Sequence, residues 1–229
     1  ESLGSKYKNK YLGSFGDFSS FSFYYSHQIT SGEGGMIACK TKDDYLLLKT
    51  LRAHGWDRDI QKERVNKKFN FINSGFNLRP LEISAAIGLN QFKRLSKMMS
   101  IRTYNRNKLI NFIKKSENWK KQFSFFYPHK NLKPSWFGFP VLLDAKYIKK
   151  KEKFLNFLNK NRVETRPIIS GNFVNQPAIN LYKKNYNLKK LHNSKQIDKR
   201  GFFIGLPTIR LSDKVVKNLA ELLLKVSKF

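Results

Sequence analysis

The chain has 229 residues, a formal net charge of +29 and a single cysteine. This length allows one large domain, or one and a half ordinary domains, with enough apolar residues for a core. A single cysteine excludes an intramolecular disulfide and a cysteine-cluster metal site within the chain. No apolar run approaches the roughly 20 residues of a membrane helix, and no segment has the pattern of a signal peptide. We therefore expect a cytoplasmic protein.

The positive charge raises the question of nucleic-acid binding, because dense Lys and Arg side chains neutralise phosphates. The charge is mostly lysine and is spread along the whole chain, and runs such as Lys149-Lys150-Lys151 fall in helical, solvated patterns. A general compositional bias toward Lys, Asn, Ile and Phe explains this distribution, so a nucleic-acid partner is the weaker alternative. A positive field would also favour anionic substrates such as nucleotide-sugars.

Two short strands around a loop are predicted near the start of the chain. Residues 17–23 alternate between apolar and polar side chains, and residues 35–39 form a second apolar run. The Ser, Thr and Gly residues between them suit a backbone that approaches a ligand closely. A helix is predicted over 43–53, and residues 55–79 are polar and predicted to be mostly loop.

A long helical pattern begins at Pro80, whose missing N–H suits a first helical turn. The pattern runs to about Lys115, with a break expected near Met98–Ser100, and a helix of this length commonly connects two lobes. The remaining residues are predicted to form amphipathic helices at 147–159 and 213–226, and strands at 136–143, 162–168 and 201–206.

The segment between the first two predicted strands carries a candidate site. It reads Ser22-Phe-Tyr-Tyr-Ser-His27-Gln-Ile-Thr30-Ser-Gly-Glu-Gly-Gly35, and no lysine lies between Lys10 and Lys40. Hydroxyls and backbone N–H groups beside a tight turn form phosphate cradles, and an imidazole accepts a proton near neutral pH. Taken alone, Ser22 would be an ordinary strand hydroxyl and His27 a structural histidine.

Two further segments carry candidate residues. They read Leu51-Arg-Ala-His54-Gly-Trp56-Asp-Arg58 and Gly75-Phe76-Asn77-Leu78-Arg79-Pro80. His54 is either an active-site residue or a cation at a helix C-terminus. Arg58 either binds a carboxylate, which a guanidinium does in bidentate fashion, or is surface charge. Asn77 is either a ligand-binding amide or a turn residue before the long helix.

Together these motifs resemble the DegT/DnrJ/EryC1/StrS family of pyridoxal-phosphate sugar aminotransferases, strongly over residues 1–95 and more loosely over 96–229. Family members carry a lysine bonded to the cofactor where this chain has His27, and histidine there is typical of the family's sugar 3-dehydratases. The resemblance implies a lyase that uses pyridoxal 5'-phosphate and pyridoxamine 5'-phosphate. Its expected reaction removes the C3 hydroxyl of a 4-keto-6-deoxy nucleotide-sugar, with glutamate as the amino donor.

The resemblance also implies a role for each candidate residue. His27 is the expected catalytic base. Ser22 and Asn77 are expected to contact the cofactor phosphate, with Asn77 reaching it from the neighbouring subunit of a homodimer. His54 and Arg58 match positions near the active site and are expected to bind the substrate or the amino donor.

One branch of these dehydratases adds an iron-sulfur cluster, whose cysteines follow the segment matching Trp56–Asp59. The corresponding stretch here, residues 60–66, contains no cysteine, and Cys39 alone cannot ligate a cluster. The resemblance therefore favours the cluster-free branch, which acts on GDP-sugars in deoxysugar and lipopolysaccharide biosynthesis, and no metal site is expected.

The fold implied by the resemblance is α/β, the C-terminal part of a fold-type I aminotransferase. Residues 1–105 would form the end of the large mixed-sheet domain that binds the cofactor, and residues 106–229 the small α+β domain. In the family, an Asp that pairs with the pyridine nitrogen and an aromatic residue that stacks on the ring lie upstream of the position matching Glu1. We therefore expect the chain to begin inside the fold and to be inactive alone.

Two alternatives stay open. One is a family member with another activity, or with none, which would bind cofactor without this turnover. The other is a basic nucleic-acid-binding protein, which would show salt-sensitive affinity for nucleic acid and bind no cofactor. His129 and His192 have no matching context, and we expect both at the surface.

Overall fold

The structure, a computed structural model, describes residues 2–60, 69–182 and 188–229, apart from the side chains of residues 188 and 189. The chain divides into two compact units. The first comprises Glu1–Ser96 with Lys130–Ser135, and the second comprises Lys97–His129 with Trp136–Phe229. The boundary expected at residue 105 concerns the domains of the family fold and stays a prediction.

Strands and helices alternate along the described residues in a mixed α/β arrangement. The strands are β1 (Lys6–Tyr7), β2 (Lys10–Tyr11), β3 (Phe18–Ser22), β4 (Gly35–Cys39), β5 (Phe123–Phe125), β6 (Leu132–Lys133), β7 (Gly138–Leu143), β8 (Thr165–Arg166) and β9 (Gly201–Gly205). The α-helices are α1 (Lys42–Leu51), α2 (Glu82–Lys115), α3 (Lys151–Lys160), α4 (His192–Arg200) and α5 (Asp213–Leu224). Short 3₁₀ turns cover Ala145–Lys150, Phe173–Asn175, Pro177–Tyr182, Leu188–Leu191 and Lys225–Lys228.

The first unit contains two small antiparallel sheets. Strands β3 and β4 pair in a register that runs from Phe18 opposite Cys39 to Ser22 opposite Gly35, which confirms both predicted strands. Strand β1 pairs with β2 on one side and with β6 on the other. The β3–β4 pair matters most for function, because the candidate residues Ser22 and His27 lie at its end and in its connection.

Helix α1 confirms the helix predicted at 43–53, although it begins and ends earlier. Its N-terminus is capped by Thr41, whose hydroxyl accepts a hydrogen bond from the backbone N–H of Asp44 at 3.1 Å. After the helix, residues 55–60 and 69–79 contain isolated bridges but no longer strand or helix, as predicted for a loop. Residues 61–68 of that predicted loop lie outside the described residues.

Helix α2 is continuous over 34 residues, so the break expected near Met98–Ser100 is wrong. The physical reason is local. Methionine is a good helix former, the expected break holds no Gly or Pro, and the Ser100 hydroxyl donates to the carbonyl of Lys97 within the helix at 2.8 Å. The helix begins two residues after Pro80. Its residues up to Ser96 belong to the first unit, and the rest belong to the second.

The second unit is built on a four-stranded antiparallel sheet in the order β5-β7-β9-β8. Strand β7 is almost wholly buried, and its residues Val141 and Leu143 are 0% exposed. The amphipathic helices α3 and α5 bury Phe154, Leu158, Val216 and Leu223 in the same core. Strands β7 and β9 and helix α5 confirm the predicted elements.

Two predicted elements of the second unit differ from the structure. The strand expected at 162–168 is reduced to the two residues of β8. Arg162 has φ of 61° and Ile169 has φ of 48°, both outside the β region, and Pro167 has no N–H to donate to a neighbouring strand. The helix expected from residue 147 starts instead as the 3₁₀ turn Ala145–Lys150, capped by Asp144, and continues as α3.

None of the helices in the described residues is both long enough and apolar enough to span a bilayer. Helix α2 has the length but carries charged residues along it.

Candidate functional site

The connection between β3 and β4 is closed on itself by backbone hydrogen bonds. The N–H of Phe23 donates to the carbonyl of Gly34, and the N–H of Ser31 donates to the carbonyl of Phe23, both at 2.9 Å. Ser22, at the end of β3, is exposed, and its Oγ accepts a long hydrogen bond of 3.4 Å from the N–H of Tyr24. The Ser22 hydroxyl therefore lies at the mouth of a short, fixed loop.

His27 occupies a tight turn in this connection. Its backbone N–H donates to the carbonyl of Tyr24 at 3.0 Å, and its ring lies edge-on to the Tyr24 ring with centroids 5.9 Å apart. The side chain is half-buried, while the next two residues, Gln28 and Ile29, are 3% and 4% exposed. His27 therefore lies at the border between the exposed and the buried part of this connection.

Small side chains shape the second half of the loop. The Thr30 hydroxyl accepts from the N–H of Gly32 at 2.9 Å. Gly34 has φ of 151°, and a Cβ there would lie 2.6 Å from the Oγ of Ser31. Gly88 of α2 also lies against this loop, since a Cβ on it would be 3.6 Å from the Cβ of Ser31. The glycines in this motif therefore allow close packing that larger residues would prevent.

His54 and Asn77 lie on two backbone segments that contact each other. The N–H of His54 donates to the carbonyl of Phe76 at 2.9 Å, the N–H of Leu78 donates to the carbonyl of Arg52 at 2.9 Å, and Ala53 forms a β-bridge with Asn77. Both candidate side chains are exposed. His54 lies beyond the end of α1 with φ of 63°, a conformation that is uncommon for a residue other than glycine.

Arg58 is exposed, and its guanidinium lies over the indole of Trp56, 5.1 Å from the ring centroid. The indole also stacks on Phe69, with ring centroids 5.1 Å apart and planes inclined by 25°. A guanidinium held over an aromatic face keeps its N–H edge available to a planar anion. Arg58 is therefore suited to bind a carboxylate.

Sequence reasoning missed an ion cluster beside Arg58. The Asp59 carboxylate lies 3.4 Å from Nη2 of Arg52 and 3.8 Å from Nη2 of Arg79, and the Lys49 ammonium donates to the backbone carbonyl of Asp59. On the other side of Arg58, the buried Asp57 accepts a hydrogen bond from the side-chain amide of Asn70. The alternating charges of Asp57-Arg58-Asp59 were the signal in the sequence that could have indicated this cluster. Their partners are not adjacent in sequence, so the pairing could not be predicted.

The described residues thus bring the candidates together in two groups. Ser22 and His27 share the β3–β4 connection, whereas His54, Arg58 and Asn77 share the segments around the end of α1. How one group faces the other stays a prediction. His129 and His192 are exposed, as expected.

The chemistry of Ser22, Asn77 and His27 would suit a phosphate-bearing pyridine cofactor that is held without a covalent bond. Ser22 and Asn77 supply a hydroxyl and an amide, both neutral hydrogen-bond donors that suit a phosphate, and the glycines admit a close approach of backbone to ligand. The imidazole of His27 is a proton carrier that cannot form a Schiff base. No group of three or more His, Cys, Asp or Glu side chains suited to a metal ion was found in the part of the chain that the structure describes.

Comparison with known proteins places the chain in a family. Residues 1–223 match the model of the DegT/DnrJ/EryC1/StrS aminotransferase family. Because the match extends over nearly the whole chain, it confirms the family resemblance of the motifs.

Two relatives share a name. The chain is 33% identical to the GDP-4-keto-6-deoxy-D-mannose 3-dehydratase of Escherichia coli, over 94% of this chain and 56% of the relative. It is 30% identical to the enzyme of that name from Yersinia pseudotuberculosis, over 98% of this chain and 58% of the relative. The chain therefore spans somewhat more than half the length of these curated relatives.

A solved structure confirms the predicted fold. The crystal structure of GDP-4-keto-6-deoxymannose-3-dehydratase with a trapped PLP-glutamate geminal diamine matches with a TM-score of 0.80 at 31% identity. The match covers 96% of this chain and 58% of that one. The chain thus has the mixed α/β fold of the C-terminal part of the type I aminotransferases.

Proposed function

The chain belongs to the DegT/DnrJ/EryC1/StrS aminotransferase family, and we propose that the full-length protein is a pyridoxal-phosphate-dependent sugar 3-dehydratase. Its proposed substrate is GDP-4-keto-6-deoxymannose, with glutamate as the amino donor, in the biosynthesis of a deoxysugar for lipopolysaccharide. The GDP-sugar is favoured by the names of the two curated relatives and by the lack of cysteines for a cluster.

The observation that carries the proposal is the position of His27. The residue stands in the β3–β4 connection, where family aminotransferases carry the cofactor-bonded lysine, and no lysine lies between Lys10 and Lys40. The backbone N–H of His27 donates to the carbonyl of Tyr24, and the two residues that follow are buried. A lysine has therefore not moved to a neighbouring position, and ordinary transamination lacks its covalent anchor.

Two of the chain's own residues would hold the cofactor phosphate. The Ser22 hydroxyl at the end of β3 would donate to it, and the Asn77 amide would donate to the phosphate bound by the partner subunit of a homodimer. When bound, pyridoxamine phosphate supplies an amine and an electron-accepting ring. The proposed site needs no iron-sulfur cluster.

His27 would take up the proton released at the cofactor carbon C4′, because an imidazole accepts a proton near neutral pH. The imidazole cannot form a Schiff base at that carbon as a lysine would. No residue in this segment would therefore displace the sugar from the cofactor. The overall reaction balances as 4-keto-6-deoxy sugar plus glutamate giving 3-deoxy-4-keto sugar, 2-oxoglutarate and ammonia. The sugar is reduced at C3, and glutamate is oxidised.

Arg58 is proposed to bind a carboxylate of glutamate, and His54 to line the same site. The guanidinium over Trp56 presents the fork of donors that a carboxylate accepts in bidentate fashion. Support for glutamate as donor comes from the related dehydratase whose crystal structure contains a PLP-glutamate geminal diamine.

The test is turnover by the full-length gene product supplied with pyridoxamine phosphate, glutamate and GDP-4-keto-6-deoxymannose. The wild type is expected to form 2-oxoglutarate and a 3-deoxy sugar in equal amounts. His27→Ala is expected to lower kcat by about 10²–10⁴-fold, the usual contribution of a general base. His192→Ala is the matched control, since His192 is exposed and lies in the second unit.

A 4-amino sugar formed by the wild type, or unchanged turnover in His27→Ala, would overturn the proposal. The first result would indicate ordinary transamination. The second would show that His27 is not the base of the reaction.

A further inference from the structure

The Asp59 carboxylate connects segments of the first unit that are far apart in sequence. It lies 3.4 Å from Nη2 of Arg52 and 3.8 Å from Nη2 of Arg79. Its side chain is 26% exposed, and those of the two arginines are 43% and 47% exposed. The Lys49 ammonium also donates to the Asp59 backbone carbonyl, so the residue is tied to α1 through both its main chain and its side chain.

Each arginine that pairs with the Asp59 carboxylate lies two residues from a residue of the proposed site. Arg52 precedes His54 by two residues, Arg79 follows Asn77 by two, and Asp59 itself follows Arg58. The hydrogen bonds from His54 to Phe76 and from Leu78 to Arg52 join the same segments through the backbone. One carboxylate thus links the three segments that carry the proposed donor-binding and phosphate-binding side chains.

We infer that Asp59 is a positioning residue for binding of the amino donor. Its charge holds Arg52 and Arg79, while Arg58 extends over Trp56 and is exposed to an incoming carboxylate. The inference rests on the proposed function, because it takes Arg58 as the group that binds glutamate. In this role Asp59 acts through the placement of Arg58.

The direction in which the KM for glutamate changes distinguishes a positioning role of Asp59 from a purely electrostatic role. Loss of the negative charge of Asp59 would raise the local positive potential, and electrostatics alone would then lower the KM for anionic glutamate. If Asp59 positions Arg58, loss of its charge instead raises the KM for glutamate. Arg52 and Arg79 would become competing anion sites, and Arg58 would leave the geometry that a bidentate contact requires.

Stability is expected to change little. Half-exposed ion pairs contribute little to the free energy of unfolding, whereas a displaced binding group costs up to about 10²-fold in catalytic efficiency. Kinetic and stability measurements therefore report different properties of Asp59.

The experiment compares Asp59→Asn, Asp59→Glu and a control in the full-length gene product. Asp17→Asn is the matched control, because Asp17 forms a 3.2 Å ion pair with Lys40 in the same unit and is 81% exposed. We expect Asp59→Asn to raise the KM for glutamate about tenfold, in the range found for residues that orient a binding group. The KM for the nucleotide-sugar and the thermal midpoint should match those of the control, and Asp59→Glu should recover most of the loss.

A second readout is independent of turnover. Amide hydrogen exchange of peptides that cover 52–59 and 76–79 should be faster in Asp59→Asn than in wild type and in Asp17→Asn, because the ion pairs no longer hold these segments. A lower or unchanged KM for glutamate in Asp59→Asn would overturn the inference, as would unchanged exchange. If the wild type makes no product, the proposed function fails, and the exchange measurement alone then decides whether Asp59 orders the segments.

Discussion

The backbone N–H of His54 donates to the carbonyl oxygen of Phe76 at 2.9 Å, which brings the segment after α1 against the segment before α2. Two glycines allow this approach. A Cβ on Gly55 would lie 1.6 Å from the carbonyl oxygen of Asn73, and a Cβ on Gly75 would lie 2.3 Å from the backbone nitrogen of Gly55. The arrangement of His54 and Asn77 therefore depends on glycine at both positions.

Gly55→Ala is expected to destabilise the first unit by about 1–3 kcal/mol or more, the usual cost of a steric clash in a packed site. Gly55 has φ of 80°, and its clash is with backbone, which cannot rotate away as a side chain can. Urea unfolding measures the effect. Gly205→Ala is the control, because a Cβ there meets nothing within 4 Å. Equal stability of the two variants would contradict the close approach.

His27→Lys is expected to create a covalent attachment point for pyridoxal phosphate. The imidazole of the wild type cannot form a Schiff base, whereas a lysine amine can, and in the proposed function this turn faces the cofactor. Borohydride reduction followed by mass spectrometry should detect a cofactor adduct on residue 27 of the variant and none in this segment of the wild type. Absence of an adduct on residue 27 of the variant would contradict the expected position of this turn beside the cofactor.

Ser22→Ala is expected to weaken binding of pyridoxamine phosphate about tenfold, because a hydroxyl donor to a charged phosphate is lost. Ser20→Ala is the matched control, since Ser20 lies two residues earlier on β3 and is likewise exposed. Titration followed by cofactor absorbance gives the two Kd values. Equal Kd values would show that the Ser22 hydroxyl does not contribute to cofactor binding.

Asn105→Ala is expected to destabilise the second unit by about 2–4 kcal/mol, because three backbone groups between residues 207 and 211 lose their partner. Asn105 is 0% exposed. Its amide donates to the carbonyls of Pro207 at 3.2 Å and Ile209 at 2.8 Å, and its oxygen accepts from the N–H of Leu211 at 3.1 Å. Asn111→Ala, at an exposed site on the same helix, should have little effect on chemical denaturation. A similar loss of stability in both variants would show that the segment 207–211 does not depend on Asn105.

Lys151 is expected to make stability depend on alkaline pH. Desolvation by burial lowers its pKa from the ordinary value of 10.5, so the unfolded chain binds more protons than the folded chain between the two values. Stability then rises with pH across that range. Lys151→Met should lack this rise in urea unfolding as the pH increases toward 10.5, whereas Lys153→Met, at an exposed position on α3, should retain it. An identical pH dependence in both variants would exclude Lys151 as its source.

The periodicity of apolar side chains predicted those strands and helices whose buried face is defined within one segment. Strands β3, β4, β7 and β9 and helices α1 and α5 follow from such patterns, because the burial of each depends on its own periodicity. The helix break near Met98–Ser100 and the length of the strand at 162–168 were wrong. Both depended on backbone conformation at single residues, which periodicity does not describe.

The sequence by itself determined which chemical groups are present and in what order. It put His27 in a segment with no lysine between Lys10 and Lys40, excluded a cysteine cluster and set Ser22, His54, Arg58 and Asn77 in recognisable motifs. Only the tertiary structure decided that Asp59 contacts both Arg52 and Arg79. The choice among several arginines depends on which backbone segments the fold brings within about 4 Å of the carboxylate, the limit of a close ion pair. That proximity is created by chain closure around Gly55 and Gly75, over a separation that no local pattern spans.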